Sequence, residues 1–249
     1  MELKDFFAEH PRAALAFSGG VDSAYLLYAA AQWGADLRPY FVDTAFQPRF
    51  ELADAQRLCG ELGAALQVLP VDILSVPHVA ENPPDRCYHC KRAIFSAIAA
   101  AAERDGYPLL LDGTNASDPE EDRPGMRALR ELEVRSPLRE CGLTKDEIRR
   151  LSREAGLFTW DKPAYACLAT RVPPGMAIGR RDLERTEQAE DYLARLGFRD
   201  FRVRLLDGCA RIQVPAAQLS LALERRGEIF SELRQFYRGV LLDLEARNE

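Results

Sequence analysis

The stretch Leu15–Gly34, LAFSGGVDSAYLLYAAAQWG, runs an apolar strand pattern straight into Ser18-Gly19-Gly20-Val21-Asp22-Ser23 and then into an amphipathic helical pattern. Glycine lets a backbone approach a bulky anion, and the helix start turns N–H groups and the positive end of its dipole toward it. Strand, Gly-rich turn and helix together therefore read as an anion cradle. The loop is not a Walker A motif, GxxxxGK[ST], because its lysine is missing. Taken alone, the glycines are equally explained by a tight strand-to-helix turn.

Outward from this stretch, the first 160 residues alternate short apolar runs with helical patterns, the signature of a parallel, doubly wound α/β sheet. Strands are expected at 13–17, 37–43, 66–72, 108–113 and 133–138, and helices at about 21–33, 48–62, 91–104 and 144–155. The last helix opens on Thr144 with Glu147 three residues on and closes at Gly156. Residues 161–179, rich in Pro and Gly and carrying Cys167, read as a linker. Residues 180–249 read as a small α+β domain: a helix at 180–196, strands at 201–206 and 210–214, a helix at about 215–235 and a strand at 239–244.

Of the 249 residues, 47% are hydrophobic and 29% charged, enough for a sizeable core. No apolar run approaches a membrane span, and the start, MELKDFFAEH, lacks the order of a signal peptide, so a cytoplasmic protein is expected. The net charge of −6 argues against nucleic acid as a general partner.

SGGVDS, in its strand-to-helix setting, resembles the PP-loop of ATP pyrophosphatases, which cleave ATP between the α- and β-phosphates. That resemblance implies that Ser18, Gly19, Gly20, Val21 and Ser23 hold pyrophosphate and that Asp22 helps place Mg²⁺. Asp43, closing PYFVDT, would border the adenine and ribose. LLLDGTNASD follows the fourth expected strand, where ligands of open α/β sheets gather, so Asp112, Gly113, Thr114, Asn115 and Asp118 are further ATP or Mg²⁺ candidates. A loop capped by Asn and Asp accounts for the same residues.

Six cysteines (59, 87, 90, 141, 167 and 209) are too few and too scattered for a disulfide framework. Cys87 and Cys90 form a CxxC in PDRCYHCKR, open to three readings: a redox pair, half of a zinc site, or part of an iron–sulfur site. The redox reading wants the pair at a helix start beside a strand, whereas residues 74–91 read as a Pro-rich insertion. Cys167 lies in the irregular DKPAYACLATRVPPG, with no helix or strand face on which to be core. Three thiolates at 87, 90 and 167 would suit three irons of a cubane and leave the fourth open. Cys59 and Cys209 read as packing residues, and Cys141 as most simply structural.

Arg202 and Arg204 in FRVRL fall on one face of a strand, a phosphate clamp or else an exposed polar face.

SGGVDS, RCYHCK, DGTNASD, RPG, LTKDEIR, WDKPAYACLATR and GFRDFRVRL together resemble the LarE family, ATP-dependent sulfur transferases that make the nickel-pincer cofactor of lactate racemase. The likeness spans nearly the whole chain. It implies adenylylation of the carboxylates of a pyridinium-3,5-biscarboxylic acid mononucleotide and their conversion to thiocarboxylates. It further implies ATP, Mg²⁺ and, from the three-cysteine pattern, a [4Fe-4S] cluster on Cys87, Cys90 and Cys167 as sulfide relay. A sulfide or sulfur donor and a homo-oligomer belong to the same expectation. Thr170 and Arg171 would join the clamp. Glu190 would face the same cavity, with a solvated helix position as the alternative. The rivals are a PP-loop tRNA thiolase, an amidating ligase of the NAD-synthetase type, and a non-catalytic nucleotide-binding module with structural zinc.

Overall fold

The computed structural model describes residues 1–119 and 124–247. The chain divides into two units, Met1–Val79 with Asp85–Lys162, and Ala80–Pro84 with the chain from Pro163 onward.

The first unit runs α1 (Leu3–Glu9), β1 (Arg12–Ala16), α2 (Val21–Gln32), β2 (Asp36–Asp43), α3 (Arg49–Leu62), β3 (Gln67–Pro70), α4 (Arg86–Arg104), β4 (Leu110–Leu111), α5 (Pro124–Glu131), α6 (Pro137–Glu140) and α7 (Lys145–Glu154). Its four strands are all parallel, in the order β3-β2-β1-β4. Successive strand residues face opposite sides, which builds two cores from one sheet. Ala13, Leu15 and Phe17 pack with Phe6, Leu26, Leu58 and Ile148 on one side. Ala14, Tyr40 and Val42 pack with Phe95, Ile98 and Leu129 on the other. Helices on both faces make this a doubly wound α/β sheet.

Two local expectations are corrected here. Residues 133–138 do not form a fifth strand. One parallel bridge, Leu111 to Arg135, is all that pairs, because Pro137 has no N–H to continue the ladder and instead opens α6. The helix expected from residue 91 starts at Arg86 and runs 19 residues, since nothing from Asp85 to Asp105 is Gly or Pro and Pro83-Pro84 lie just outside its start.

The second unit contains α8 (Arg180–Arg195), β5 (Arg202–Leu206), β6 (Cys209–Gln213), α9 (Leu219–Glu224), α10 (Arg226–Leu233) and β7 (Val240–Leu242). β5 and β6 form an antiparallel hairpin, and β7 adds in parallel to β6. Asp207 and Gly208 turn the hairpin with φ of 47° and 77°, the twist that a two-residue connection requires. The single helix expected at about 215–235 is a short 3₁₀ turn followed by α9 and α10, which break at Arg225 where φ/ψ is −88°/6°. Val203, Leu205, Ala210 and Ile212 bury against Leu193, Phe198, Ile229 and Leu233.

Candidate functional site

β1 ends at Ala16 and the chain enters the SGGVDS loop. Gly19 has φ of 69°, and a Cβ there would stand 3.3 Å from the Glu51 carbonyl oxygen and 3.4 Å from the Ala55 nitrogen. Gly20, extended at φ −79° and ψ 167°, is the N-cap of α2. The Ser18 and Ser23 hydroxyls lie 3.2 Å apart, and Ser23 Oγ donates to the Gly20 carbonyl at 3.3 Å. The loop thus leaves the first-turn N–H groups of α2 at the carboxyl end of the sheet, with Gly19 packed tightly against α3 at a positive φ that favours glycine.

The segment after β4 meets this loop. A Cβ on Gly113 would lie 3.0 Å from the Ser23 nitrogen and 3.3 Å from Asp22 Cβ. Asn115 Nδ2 donates to Asp22 Oδ1 at 3.2 Å. Asp118 accepts the Asn115 N–H at 2.8 Å, and buried Asp112 accepts from the hydroxyls of Thr114 and Ser136 at 2.5 and 2.7 Å. Gly113, Thr114, Asn115 and Asp118 are therefore gathered with Ser18 to Ser23. Asp43 is exposed at the carboxyl end of β2, followed by buried Thr44.

Two lysines that sequence reasoning passed over stand on the same loop. Lys145 Nζ lies 2.5 Å from Asp22 Oδ2. Lys162 Nζ lies 2.7 Å from Asp54 Oδ2 and donates to the Gly19 carbonyl at 3.3 Å. Their only trace in the sequence is their place in LTKDEIR and WDKPAYACLATR.

Cys87 and Cys90 occupy the first turn of α4, Cys87 exposed and Cys90 half-buried. This corrects the picture of a CxxC in a Pro-rich insertion ahead of the helix: the pair stands at a helix start, as a redox pair would, but residues 71–85 before it form no strand. The Arg86 guanidinium lies 3.8 Å from Cys87 Sγ. Cys59 sits in the core of the first unit, where burial pushes its thiol up to about 11, and burial also raises Cys141. Cys209 Sγ lies 2.9 Å from where a Gly239 Cβ would be, a packing position. No group of three or more His, Cys, Asp and Glu side chains able to hold a metal ion is found among the described residues. Arg123 of the RPG motif lies outside the described residues.

In the second unit, Thr170, Arg171, Glu190, Arg202 and Arg204 form one network. Arg171 and Glu190 are buried and pair at 2.7 Å, and Glu190 also accepts the Tyr165 hydroxyl at 2.5 Å and the Val203 N–H at 2.9 Å. Burial works against the Arg171 charge, but the Glu190 hydrogen bonds outweigh it and hold the guanidinium above its usual value. Glu190 is thus no solvated helix residue. Arg202, 4% exposed, is no exposed face either. It donates to the carbonyls of Ala164 at 2.6 Å and Phe201 at 2.7 Å. Arg204 donates to Gln213 Oε1 at 2.6 Å and to the Thr170 carbonyl at 2.7 Å. Burial first, then the neighbouring Arg171, pushes Arg202 down to about 10, and the same causes lower Arg204. Tyr165 stacks under two guanidiniums, Arg171 at 4.7 Å and Arg202 at 5.3 Å. Arg171 also reaches the carbonyls of Ala166 at 2.8 Å and Cys167 at 3.5 Å. Three arginines therefore tie down the chain on either side of Cys167, and one of them, Arg171, lowers the proton affinity of the other two.

No protein-family model matches the chain. An uncharacterized protein of Synechocystis is 37% identical over 98% of this chain and 92% of that protein. The pyridinium-3,5-bisthiocarboxylic acid mononucleotide synthase of Lactiplantibacillus plantarum is 34% identical over 94% of this chain and 86% of that enzyme. A tRNA-specific 2-thiouridylase of Clostridium botulinum is 25% identical over 60% of this chain and 51% of that enzyme. The likeness to the thiouridylase covers 60% of this chain, whereas that to the mononucleotide synthase covers 94% of it. A PP-loop at the carboxyl end of a parallel sheet, joined to a second unit along a near full-length match, places this chain in the LarE family of PP-loop, ATP-dependent sulfur transferases, the family of pyridinium-3,5-bisthiocarboxylic acid mononucleotide synthase.

Proposed function

We propose that this protein uses ATP to convert the carboxylates of a pyridinium-3,5-biscarboxylic acid mononucleotide to thiocarboxylates, as the name of its Lactiplantibacillus relative describes for that enzyme's product. The observation that carries the reading is the PP-loop geometry within a match extending over 94% of the chain. A carboxylate is a poor electrophile because oxide is a poor leaving group; joined to AMP, it loses a good one. Activation by ATP must therefore precede attack by sulfur.

The residues fit the nucleotide. In this reading Ser18, Gly19, Gly20, Val21 and Ser23 present hydroxyls and N–H groups to the phosphates, and glycine at 19 and 113 lets α3 and the first turn of α2 pack closely against these segments with no Cβ in the way. Asp22, with Thr114, Asn115 and Asp118 behind it, would hold Mg²⁺, which supplies charge to the leaving pyrophosphate. Asp43 would border the nucleoside. Arg202 and Arg204, steadied by Thr170, Arg171 and Glu190, would bind the phosphate of the mononucleotide. What supports this is the partly buried cluster of guanidiniums, which an anion would relieve of mutual repulsion.

For the sulfur, Cys87, Cys90 and Cys167 would in this reading be the three protein ligands of a [4Fe-4S] cluster, supported by the chemistry of three thiols and not by their arrangement in the structure, and bound, such a group would supply sulfide already anionic near neutral pH. Among the described residues no helix is long and apolar enough to cross a membrane.

Two measurements test the reading. Phosphorus NMR of the reaction is expected to give AMP and pyrophosphate; ADP and orthophosphate as the main products would refute it. Anaerobic reconstitution is expected to give about four irons per chain, lost in Cys167→Ala and kept in Cys59→Ala. Full iron in Cys167→Ala excludes that ligand set. An iron-free protein that isolates with a Cys87–Cys90 disulfide would favour the redox pair, which the helix-start position of the CxxC accommodates.

A further inference from the structure

The nucleotide loop carries no lysine of its own, yet a triphosphate brings about four negative charges that loop amides, being neutral dipoles, only partly offset. Asp22 adds another negative charge at the same place. The structure answers with Lys145 on Asp22 and Lys162 on Gly19 and Asp54.

Both lysines are delivered by one helix. Lys145 is the first residue of α7, set there by the reciprocal cap between Thr144 and Glu147, and its N–H donates to Ser117 Oγ at 2.9 Å. One turn further, Arg149 donates to the carbonyls of Trp160 at 2.7 Å and Lys162 at 2.8 Å, fixing the turn from which the Lys162 side chain reaches the loop. Ile148 buries this helix in the same core as Leu26 and Ala30 of α2, the helix that the loop opens. An ammonium has three N–H donors. Asp22 takes one from Lys145, while Asp54 and Gly19 take two from Lys162, so each lysine keeps a donor for phosphate. The Lys162 side chain is 16% exposed and that of Lys145 33%, a setting in which a charge acts more strongly than in open water.

Resting on the nucleotide reading above, we propose that Lys145 and Lys162 bind the β- and γ-phosphates of ATP and neutralise pyrophosphate as it departs. In the step they serve, a substrate carboxylate oxygen bonds to the α-phosphorus. The bond from that phosphorus to the bridging oxygen breaks, and its electron pair leaves on pyrophosphate. The two ammonium groups meet the charge that appears there. The loop thus acquires through the fold what a Walker A loop carries within its own sequence.

Calorimetric titration separates the two halves of the nucleotide. Inorganic pyrophosphate and AMP are titrated in turn into wild type, Lys145→Met, Lys145→Arg and Lys162→Met. Each Met variant is expected to bind pyrophosphate about 10- to 100-fold more weakly and AMP within about twofold of wild type, with Lys145→Arg recovering most of the loss. Pyrophosphate binding unchanged in Lys145→Met overturns the proposal even if Lys162→Met fails to fold. Equal losses for AMP and pyrophosphate also overturn it, since they signal a collapsed loop. Wild type that binds pyrophosphate while Lys145→Met matches it removes this assignment alone. Wild type that binds neither pyrophosphate nor ATP removes the nucleotide reading with it.

Discussion

Replacing Arg171 with Met will destabilise the second unit by about 3–5 kcal/mol, the usual result of deleting one member of a buried ion pair. Arg171 is 1% exposed, and its loss leaves the Glu190 carboxylate with the Tyr165 hydroxyl and the Val203 N–H as partners. Glu190→Gln removes the charge but keeps polar partners, so about 1–3 kcal/mol is expected. The double variant should cost less than the two single losses combined, because it leaves no uncompensated charge. Urea unfolding gives the energies, and hydrogen exchange of the β5 and α8 amides shows whether the loss is local. A loss below about 1 kcal/mol for Arg171→Met would mean that water reaches the pair and that the burial argument fails. The same variant removes the Arg171 donor to the Ala166 carbonyl and one of three donors to the Cys167 carbonyl, so the Cys167 segment should exchange faster than the rest of its unit.

Gly113→Val is expected to weaken ATP binding by roughly 100-fold, with the sheet left intact. The added Cβ would meet the Ser23 nitrogen at 3.0 Å and the Ser23 Cα at 3.4 Å, both backbone atoms in the first turn of α2 that cannot rotate aside. The turn must move, and with it the N–H groups assigned to phosphate. Gly19→Val acts from the other side, through a φ of 69° that a β-branched residue adopts only under strain. Gly60→Ala is the matched control. It lies within α3 with open space around it, so it should bind ATP as wild type does and gain a few tenths of a kcal/mol to about 1 kcal/mol in stability. ATP affinity within twofold of wild type for Gly113→Val, read by calorimetry, would show that the loop and the segment after β4 do not act together.

These expectations show what a linear reading can and cannot reach. SGGVDS was legible because every part of its signal is local: strand, two glycines with different dihedral demands, then helix. The Thr144–Glu147 cap and the Asp-Gly hairpin were open to the same kind of reading, since a few adjacent residues decide each. The expected strand at 133–138 failed because alternation in Val134-Arg135-Ser136 outweighed Pro137, whose missing N–H ends pairing after a single bridge. The early start of α4 was hidden by Pro83 and Pro84; a proline pushes the residue before it out of the helical region but leaves the residues after it free to begin a helix. Lys145 and Lys162 could not be found by spacing at all. Each is separated from the loop by more than a hundred residues and looks like an ordinary surface lysine until α7, which carries Lys145 and ties down the turn of Lys162, packs beside α2. Arg202 and Arg204 were correctly put on one strand face, yet that face is tied to the carbonyls of Ala164 and Thr170, which period-two alternation does not reveal.

The five residues Ala80–Pro84 belong with the chain from Pro163 onward, although the residues on either side of them belong to the first unit. Asn82, 2% exposed, donates from its side chain to the Pro173 carbonyl at 2.8 Å and accepts the Gly175 N–H at 2.9 Å, while the Ala80 carbonyl accepts the Ile178 N–H at 2.7 Å. The small unit is therefore not an autonomous module that could be excised, transplanted onto another PP-loop protein or expressed from a shortened gene starting at Pro163. Such a fragment would lack the segment that pairs with its own 173–178 turn and should regain order only when a peptide covering residues 80–84 is added back. During synthesis on the ribosome the missing piece emerges about eighty residues too early, at roughly five to twenty residues per second, and has to wait several seconds for its partners. The unit that carries Cys167 is consequently the last to close, and an insertion in the loop before α4 would damage it while leaving the nucleotide fold behind.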